Sequence, residues 1–284
     1  MDYVRTLTGP KPKLQMPADA CDTHIHFYDS RYAAVPGTPT PPDASVADYR
    51  QVMDWLDIRR AVVVQPNAYG DDNRLTLDAV AQLGTDARAV VVVKPGTSDA
   101  ELERLTRAGA RGLRVMALLG GTLGLDLLEE MAARVHPFGW HVLVQLDGRD
   151  LPQHEATIRR LPCNVVIDHI GKFLEPVPAD HPSFRCLLRL VETGRVWVKL
   201  AAAYETSKTG APAYADVGVL ARALVKAAPE RMIWASNWPH AQAHRFGYPD
   251  DAALLDLLLD WAPDAADRRK ILADNPAELY GFGS

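Results

Sequence analysis

The stretch HVLVQLDGRDLPQHEATIRRLPCNVVIDHI, residues 141–170, reads as strand, helix, strand. Residues 142–146 form a short, mostly apolar run, 151–161 carry helical periodicity, and 165–170 form a second apolar run. Such near-continuous apolar strands suit a parallel sheet covered on both faces, not a half-exposed antiparallel one. The alternation repeats outward in both directions. Toward the N-terminus, runs at 20–27, 61–64, 89–93 and 112–117 precede helical segments at 46–56, 73–83, 98–108 and 125–135. Ser98 and Glu101 have the spacing of a helix-capping box. Toward the C-terminus, a helical segment at 182–191 follows the second run, and runs at 196–201 and 232–234 precede segments at 214–226 and 252–261. Eight strand–helix units in 284 residues predict an α/β fold, a single (β/α)8 TIM barrel over residues 1–284 with an N-terminal arm at 1–19. Residues 264–284 read as one more helix and a short end, with a break at Asn275-Pro276.

Composition narrows the partners. With 31 basic and 36 acidic side chains, the net charge of −5 offers no attraction for nucleic acid or an anionic membrane. The apolar runs fall far short of the roughly 20 residues that span a bilayer. Residues 1–17 carry Arg5, Lys11 and Lys13 without an apolar block behind them, so neither a signal peptide nor an anchor is expected. Three cysteines without a C-x-x-C pair argue against a disulfide framework or zinc knuckle and for a reducing, cytoplasmic setting; a homo-oligomer is compatible with all of this. No strand is followed by a glycine-rich phosphate-binding motif. The segment VPGTPTPPD, 35–43, holds four prolines in nine residues and follows the first strand, where a barrel carries either a lid or a stiff connector.

Barrel chemistry sits at the C-terminal ends of the strands. The polar residues there are His24 and His26, Gln65 and Asn67, Lys94, Arg114, Gln145 and Asp147, Asp168, His169 and Lys172, Lys199 and Tyr204, and Ser236, Asn237 and His240. His24 and His26, two apart on a strand, face one cavity about 6–7 Å apart along the chain, as two ligands of one metal or two donors to an anion. Asp168 reads as a barrel-interior ion pair, and Lys199, mid-strand, requires a partner or a pocket. Lys94 reads as a rim residue and Trp234 and Trp238 as packing. His136, His141, His154, His181 and His244 read as surface residues.

The segments DTHIH (22–26), GLRV (112–115), VQLDG (144–148), DHIGK (168–172), WVKLAAAYE (197–205) and WASNWPH (234–240) together resemble the amidohydrolase superfamily. Within it they are most similar to the branch of 2-pyrone-4,6-dicarboxylate hydrolase, 4-sulfomuconolactone hydrolase and D-galactarolactone isomerase. The resemblance implies a barrel enzyme acting on a small carboxylated lactone by hydrolysis or isomerisation, in sugar-acid or aromatic catabolism. It places His24, His26, His169 and Asn237 in catalysis, and Asn67, Arg114, Gln145, Lys172, Tyr204 and His240 around the substrate. Asn237 stands where the superfamily usually has an aspartate, and an amide is a poor zinc ligand and no proton acceptor. A bridging lysine and a fifth-strand histidine are also missing. The expectation is therefore an enzyme without cofactor or metal. The alternatives are one zinc on His24, His26 and His169, or a non-catalytic carboxylate-binding barrel.

Overall fold

The apolar runs become eight parallel strands: β1 Cys21–Ile25, β2 Arg60–Val64, β3 Ala87–Val91, β4 Ala110–Met116, β5 His141–Gln145, β6 Val165–Ile167, β7 Val196–Leu200 and β8 Met232–Trp234. They pair in chain order in one sheet within a computed structural model that describes residues 5–38, 40–118 and 120–283. The two ends of the sheet meet just beyond β8, where the Asn237 amide donates to the His24 carbonyl at 3.1 Å and the His26 amide to that of Trp238 at 2.8 Å. The expected (β/α)8 barrel is the observed architecture.

Both faces of the sheet are apolar, as a covered parallel sheet requires. Val62, Val64, Val90, Leu143, Val166, Trp197 and Ile233 share an interior cluster with Cys21. Their strand neighbours, such as Val63, Val91 and Val144, pack outward into the larger core shared with the helices. The helices are α1 Val46–Leu56, α2 Arg74–Leu83, α3 Asp99–Arg107, α4 Leu128–Val135, α5 Leu151–Arg160, α6 Pro182–Val191 and α7 Ala215–Ala227. After β8 come α8 Asp251–Asp256, α9 Leu258–Trp261, α10 Ala265–Arg269 and α11 Asn275–Tyr280. Ser45 and Asp48 close a reciprocal capping box on α1, whereas at α3 only half of the expected box forms. Ser98 accepts from the Glu101 amide, and the Glu101 carboxylate pairs with Arg104 instead. The expected break at Asn275-Pro276 is a π-helical turn, Lys270–Asp274, leading into α11.

Two local departures have identifiable causes. β6 stops at Ile167 because His169, Ile170 and Lys172 all take positive φ (51°, 56° and 49°), which no strand accommodates. His141 is buried, not on the surface: it opens β5 facing the barrel interior, 5.1 Å from the Tyr280 ring. Tyr280 and Phe282 belong to the interior cluster and floor the barrel. The Arg88 and Arg60 guanidinium groups lie over the Phe282 ring at 4.5 and 5.3 Å and donate to the Gly281 and Gly283 carbonyls.

The described part of the arm packs against α1, with Leu14 buried and the Trp55 indole donating to the Pro10 carbonyl. Arg5 joins it to the proline-rich segment through the Asp43 and Pro42 carbonyls and lies over Trp238. Pro39 of that segment lies outside the described residues. Among the described residues the three cysteines are free and buried, and no helix is long and apolar enough to cross a membrane.

The loop after β7 depends on one carboxylate. Asp216 accepts from Ser207 Oγ, Thr209 Oγ1 and the amides of Lys208 and Thr209. Burial works against this charge, but those hydrogen bonds hold the carboxyl at about 2 against an ordinary 3.8. A depressed folded-state pKa means that the stabilisation is complete above the unfolded value and is lost as pH falls through the folded one. Asp216→Ala is therefore expected to cost about 1–3 kcal/mol at neutral pH, and progressively less on acidification, in urea titrations. An equal loss at acid and neutral pH would contradict the assignment.

Candidate active site

Asp22 is the anchor from which the mouth is built. Buried on β1, it accepts from the His24 and Ser236 amides at 3.2 and 3.0 Å, the Tyr49 hydroxyl at 3.0 Å and the Ser236 hydroxyl. Burial pushes its carboxyl up to about 6 against those hydrogen bonds. Tying β1 to the turn after β8 in this way sets His24 beside Asn237. Ser236, read as a polar strand end, is spent on this anchor.

His24 and His26 point the same way, as their spacing requires, with ring centroids 4.7 Å apart. His26 Nδ1 lies 2.7 Å from the Val64 carbonyl, so it carries the proton. Burial holds His26 at about 3, so the ring is neutral and its Nε2 accepts. That nitrogen is 3.1 Å from His24 Nε2, which must donate. His24 Nδ1 then accepts from the Lys199 ammonium at 3.0 Å. Burial, aided by Lys199, pulls His24 well below the ordinary imidazole range. Lys199 also faces Asp168 at 3.6 Å, both being fully buried. The predicted interior pair of Asp168 is thus with Lys199, and Lys199 both lines the site and has its partner. His169 follows on the left-handed turn after β6, 4.9 Å from the His24 ring, with Nδ1 buried and lacking a protein partner. Burial lowers its pKa well below the ordinary value despite Asp168 beside it.

A second chain runs through the loops after β6, β7 and β8, beside β1. Asp251, at the start of α8, lies 3.0 Å from His240 Nε2, and His240 Nδ1 lies 3.0 Å from the Tyr204 hydroxyl. The carboxylate fixes the proton on Nε2, leaving Nδ1 to accept from Tyr204. Tyr204 in turn accepts from Asn237 Nδ2 at 2.8 Å, which also donates to Glu205 at 3.0 Å. Glu205 pairs with Lys172. Burial brings Lys172 down to about 8, with Asp168 opposing and Arg114 reinforcing the fall. Asn237 and His240, like His169 and Lys172, have positive φ (66° and 60°). Strained backbone at several residues of one site is the pattern of imposed geometry.

The third wall is cationic. Arg114 donates to the Gln65 carbonyl at 2.6 Å and to Gln145 Oε1 at 3.2 Å, and its buried Nε has no protein partner. Asn67 reaches Met116 Sδ at 2.8 Å, close to this wall. Gln65 itself braces the loop, donating to the Gly70 and Asp72 carbonyls. Lys94 sits on the rim paired with Asp71, Asp147 pairs with Arg149, Trp238 packs on Tyr49 and Phe27, and His244 is exposed. The structure links His24 and His26 with Lys199 and sets His169 against His24. It links Asn237, Tyr204, His240 and Lys172 through Glu205 and Asp251, and Arg114 with Gln145, whereas Asn67 contacts Met116 and none of these.

The histidines were also candidates for holding a metal. His24, Asp168 and His169 place one ligand atom each within 4.8 Å of one another. The donor set does not fit a divalent cation as it stands. The Lys199 ammonium already reaches His24 Nδ1 and Asp168, two of the three groups. Asn237 supplies no anionic ligand, and Arg114, Lys172 and Lys199 together outnumber the carboxylates of Asp168 and Glu205.

Comparison with known proteins places this geometry. Residues 21–282 match the amidohydrolase family. The chain is 40% identical to D-galactarolactone isomerase of Agrobacterium fabrum over 98% of its length and 97% of that protein's. It is 37% identical to a 2-pyrone-4,6-dicarboxylate hydrolase of Comamonas testosteroni, covering 95% of this chain and 92% of that one. A crystal structure of an Agrobacterium tumefaciens protein without ligand superposes with a TM-score of 0.94 at 40% identity, covering 98% and 99% of the two chains. On the match across nearly its whole length, this chain belongs to the amidohydrolase family.

Proposed function

We propose that this enzyme isomerises a small carboxylated sugar-acid lactone without a metal ion, using the substrate's own hydroxyl as nucleophile. The observation that carries this reading is Asn237, a neutral amide at the end of β8, engaged with Tyr204 and Glu205. Water activation at that position would call for a base. An intramolecular attack places nucleophile and carbonyl together at no cost in a second reactant. Similarity to a D-galactarolactone isomerase supports the substrate class.

In this reading Arg114 and Lys172 bind substrate carboxylate, with Gln145 and Asn67 completing that wall. The attacking hydroxyl forms a new C–O bond at the lactone carbonyl, and the ring C–O bond breaks. The proton leaves the attacking oxygen through Tyr204 to His240 Nδ1, whose imidazolium Asp251 stabilises, and returns to the leaving oxygen. No water is consumed. His169 Nδ1 and Arg114 Nε, buried without protein partners, are the groups available to the carbonyl oxygen. Three buried free thiols suit a reducing compartment such as the cytoplasm, and a sugar-acid substrate suits carbohydrate-acid catabolism.

Turnover of aldarolactones in 18O-labelled water tests the reading. The expected product is the ring isomer without label and without acid release. Labelled open-chain diacid would make the enzyme a hydrolase, and no turnover with tight carboxylate binding would make it a binding barrel. Asn237→Asp extends the test, because it sets a second carboxylate beside Glu205 and removes a donor from Tyr204. The loss of about 1.5–3 kcal/mol corresponds to about 10–100-fold in isomerisation kcat/KM, with hydrolysis rising relative to it. An unchanged product ratio would contradict the role given to the asparagine.

A further inference from the structure

We propose that Lys199 keeps divalent metal off the paired histidines of β1 by locking His24 in the tautomer whose Nε2 is a hydrogen-bond donor. Donors and acceptors around the two rings fix this state whatever the substrate. The Val64 carbonyl can only accept, so His26 carries its proton on Nδ1 and presents a bare Nε2. Facing it at 3.1 Å, His24 Nε2 has two options. It can donate a proton, or both nitrogens can turn lone pairs toward a shared cation. Zinc bound through two imidazoles at about 2.0–2.1 Å each holds their nitrogens at a similar separation. Position therefore does not decide between the two states; the proton does.

What places that proton lies on the other side of the ring. The Lys199 ammonium, 3.0 Å from His24 Nδ1, has only hydrogens to offer, so Nδ1 must be the bare nitrogen and Nε2 the protonated one. Without Lys199, Asp168 Oδ1 is the remaining neighbour of Nδ1, at 3.3 Å, and it can only accept. The ring then reverses, with Nδ1–H donating to Asp168 and Nε2 bare. That is the carboxylate–histidine arrangement that orients a metal ligand and raises its basicity. A single side chain thus separates a metal-excluding relay from a metal-binding pair. Val64 holds His26 ready for either state.

Two measurements decide it, neither requiring activity. In two-bond proton–nitrogen spectra of the full chain labelled with 15N-histidine, assigned by single substitutions, wild-type His24 should appear as the Nε2–H tautomer and His26 as Nδ1–H. A wild-type His24 signal of the Nδ1–H type overturns the proposal whether or not any variant folds. Zinc uptake is then measured by elemental analysis after dialysis and desalting. Lys199→Met, which keeps the aliphatic stem, is expected to bind zinc about 10–100-fold more tightly than wild type, with His24 converting to Nδ1–H. Equal zinc affinity in the folded variant and wild type overturns it.

Discussion

Asp168→Ala is expected to remove about 3–5 kcal/mol of unfolding free energy, read as a lower urea midpoint. Asp168 and Lys199 are completely buried and 3.6 Å apart. Burial alone would raise the carboxyl, but His169, Lys199, Arg114 and Lys172 outweigh it and hold Asp168 below its ordinary value. Truncation leaves the buried ammonium without its counter-charge, with the neutral His24 ring as its remaining partner. Burial already brings Lys199 to about 8 with Asp168 in place, so the variant relieves the strain by shedding the proton. Its folded state then binds fewer protons than its unfolded state, and stability rises with pH. The deficit should accordingly be smaller at about pH 9 than at about pH 6. Asp168→Asn, nearly isosteric, separates charge from cavity by showing the same pH trend. A loss below about 1 kcal/mol, the ordinary cost of a dispensable surface pair, would sink the argument.

His169→Ala is expected to lower kcat on the lactone by about 10²–10⁴-fold, the range of a proton-transfer group or carbonyl donor. The ring is neutral, buried, set against His24, and carries a nitrogen without a protein partner. Its backbone lies in the left-handed region. Asparagine tolerates that conformation better than most residues, so His169→Asn preserves the turn while removing the imidazole. Loss in both variants with little change in thermal stability places the effect in chemistry. Recovery in the asparagine variant would reduce His169 to a backbone role.

Strand period made most of this site readable in the amino-acid order. His24 and His26 share a face because they are two apart, and Arg114, Lys172 and Asn237 project from the ends of apolar runs. The groups that escaped are those whose meaning is a partner across the barrel. Asp251 is one acidic residue at the head of a helix until α8 docks it on His240. Glu205 stands next to Tyr204 in the quoted segment, yet nothing local announces Lys172 as its counter-ion. His141 was misplaced for the same reason, since its cover arrives from residue 280. β6 was overrun because β-branched composition does not reveal that His169 and Ile170 turn left-handed. Asp168 and Lys199 were legible only as needing partners, which the sheet then supplied.

The floor of the barrel is laid late. Tyr280 and Phe282, with the carbonyls that Arg60 and Arg88 grip, are reached only after all eight strands have been made. On the ribosome the interior ends of β1 to β8 therefore wait open from below. Cys21, the first residue of β1, is covered together with these two rings in one interior cluster. A chain cut short of residue 280 is therefore expected to leave that thiol open to alkylation that the full chain resists.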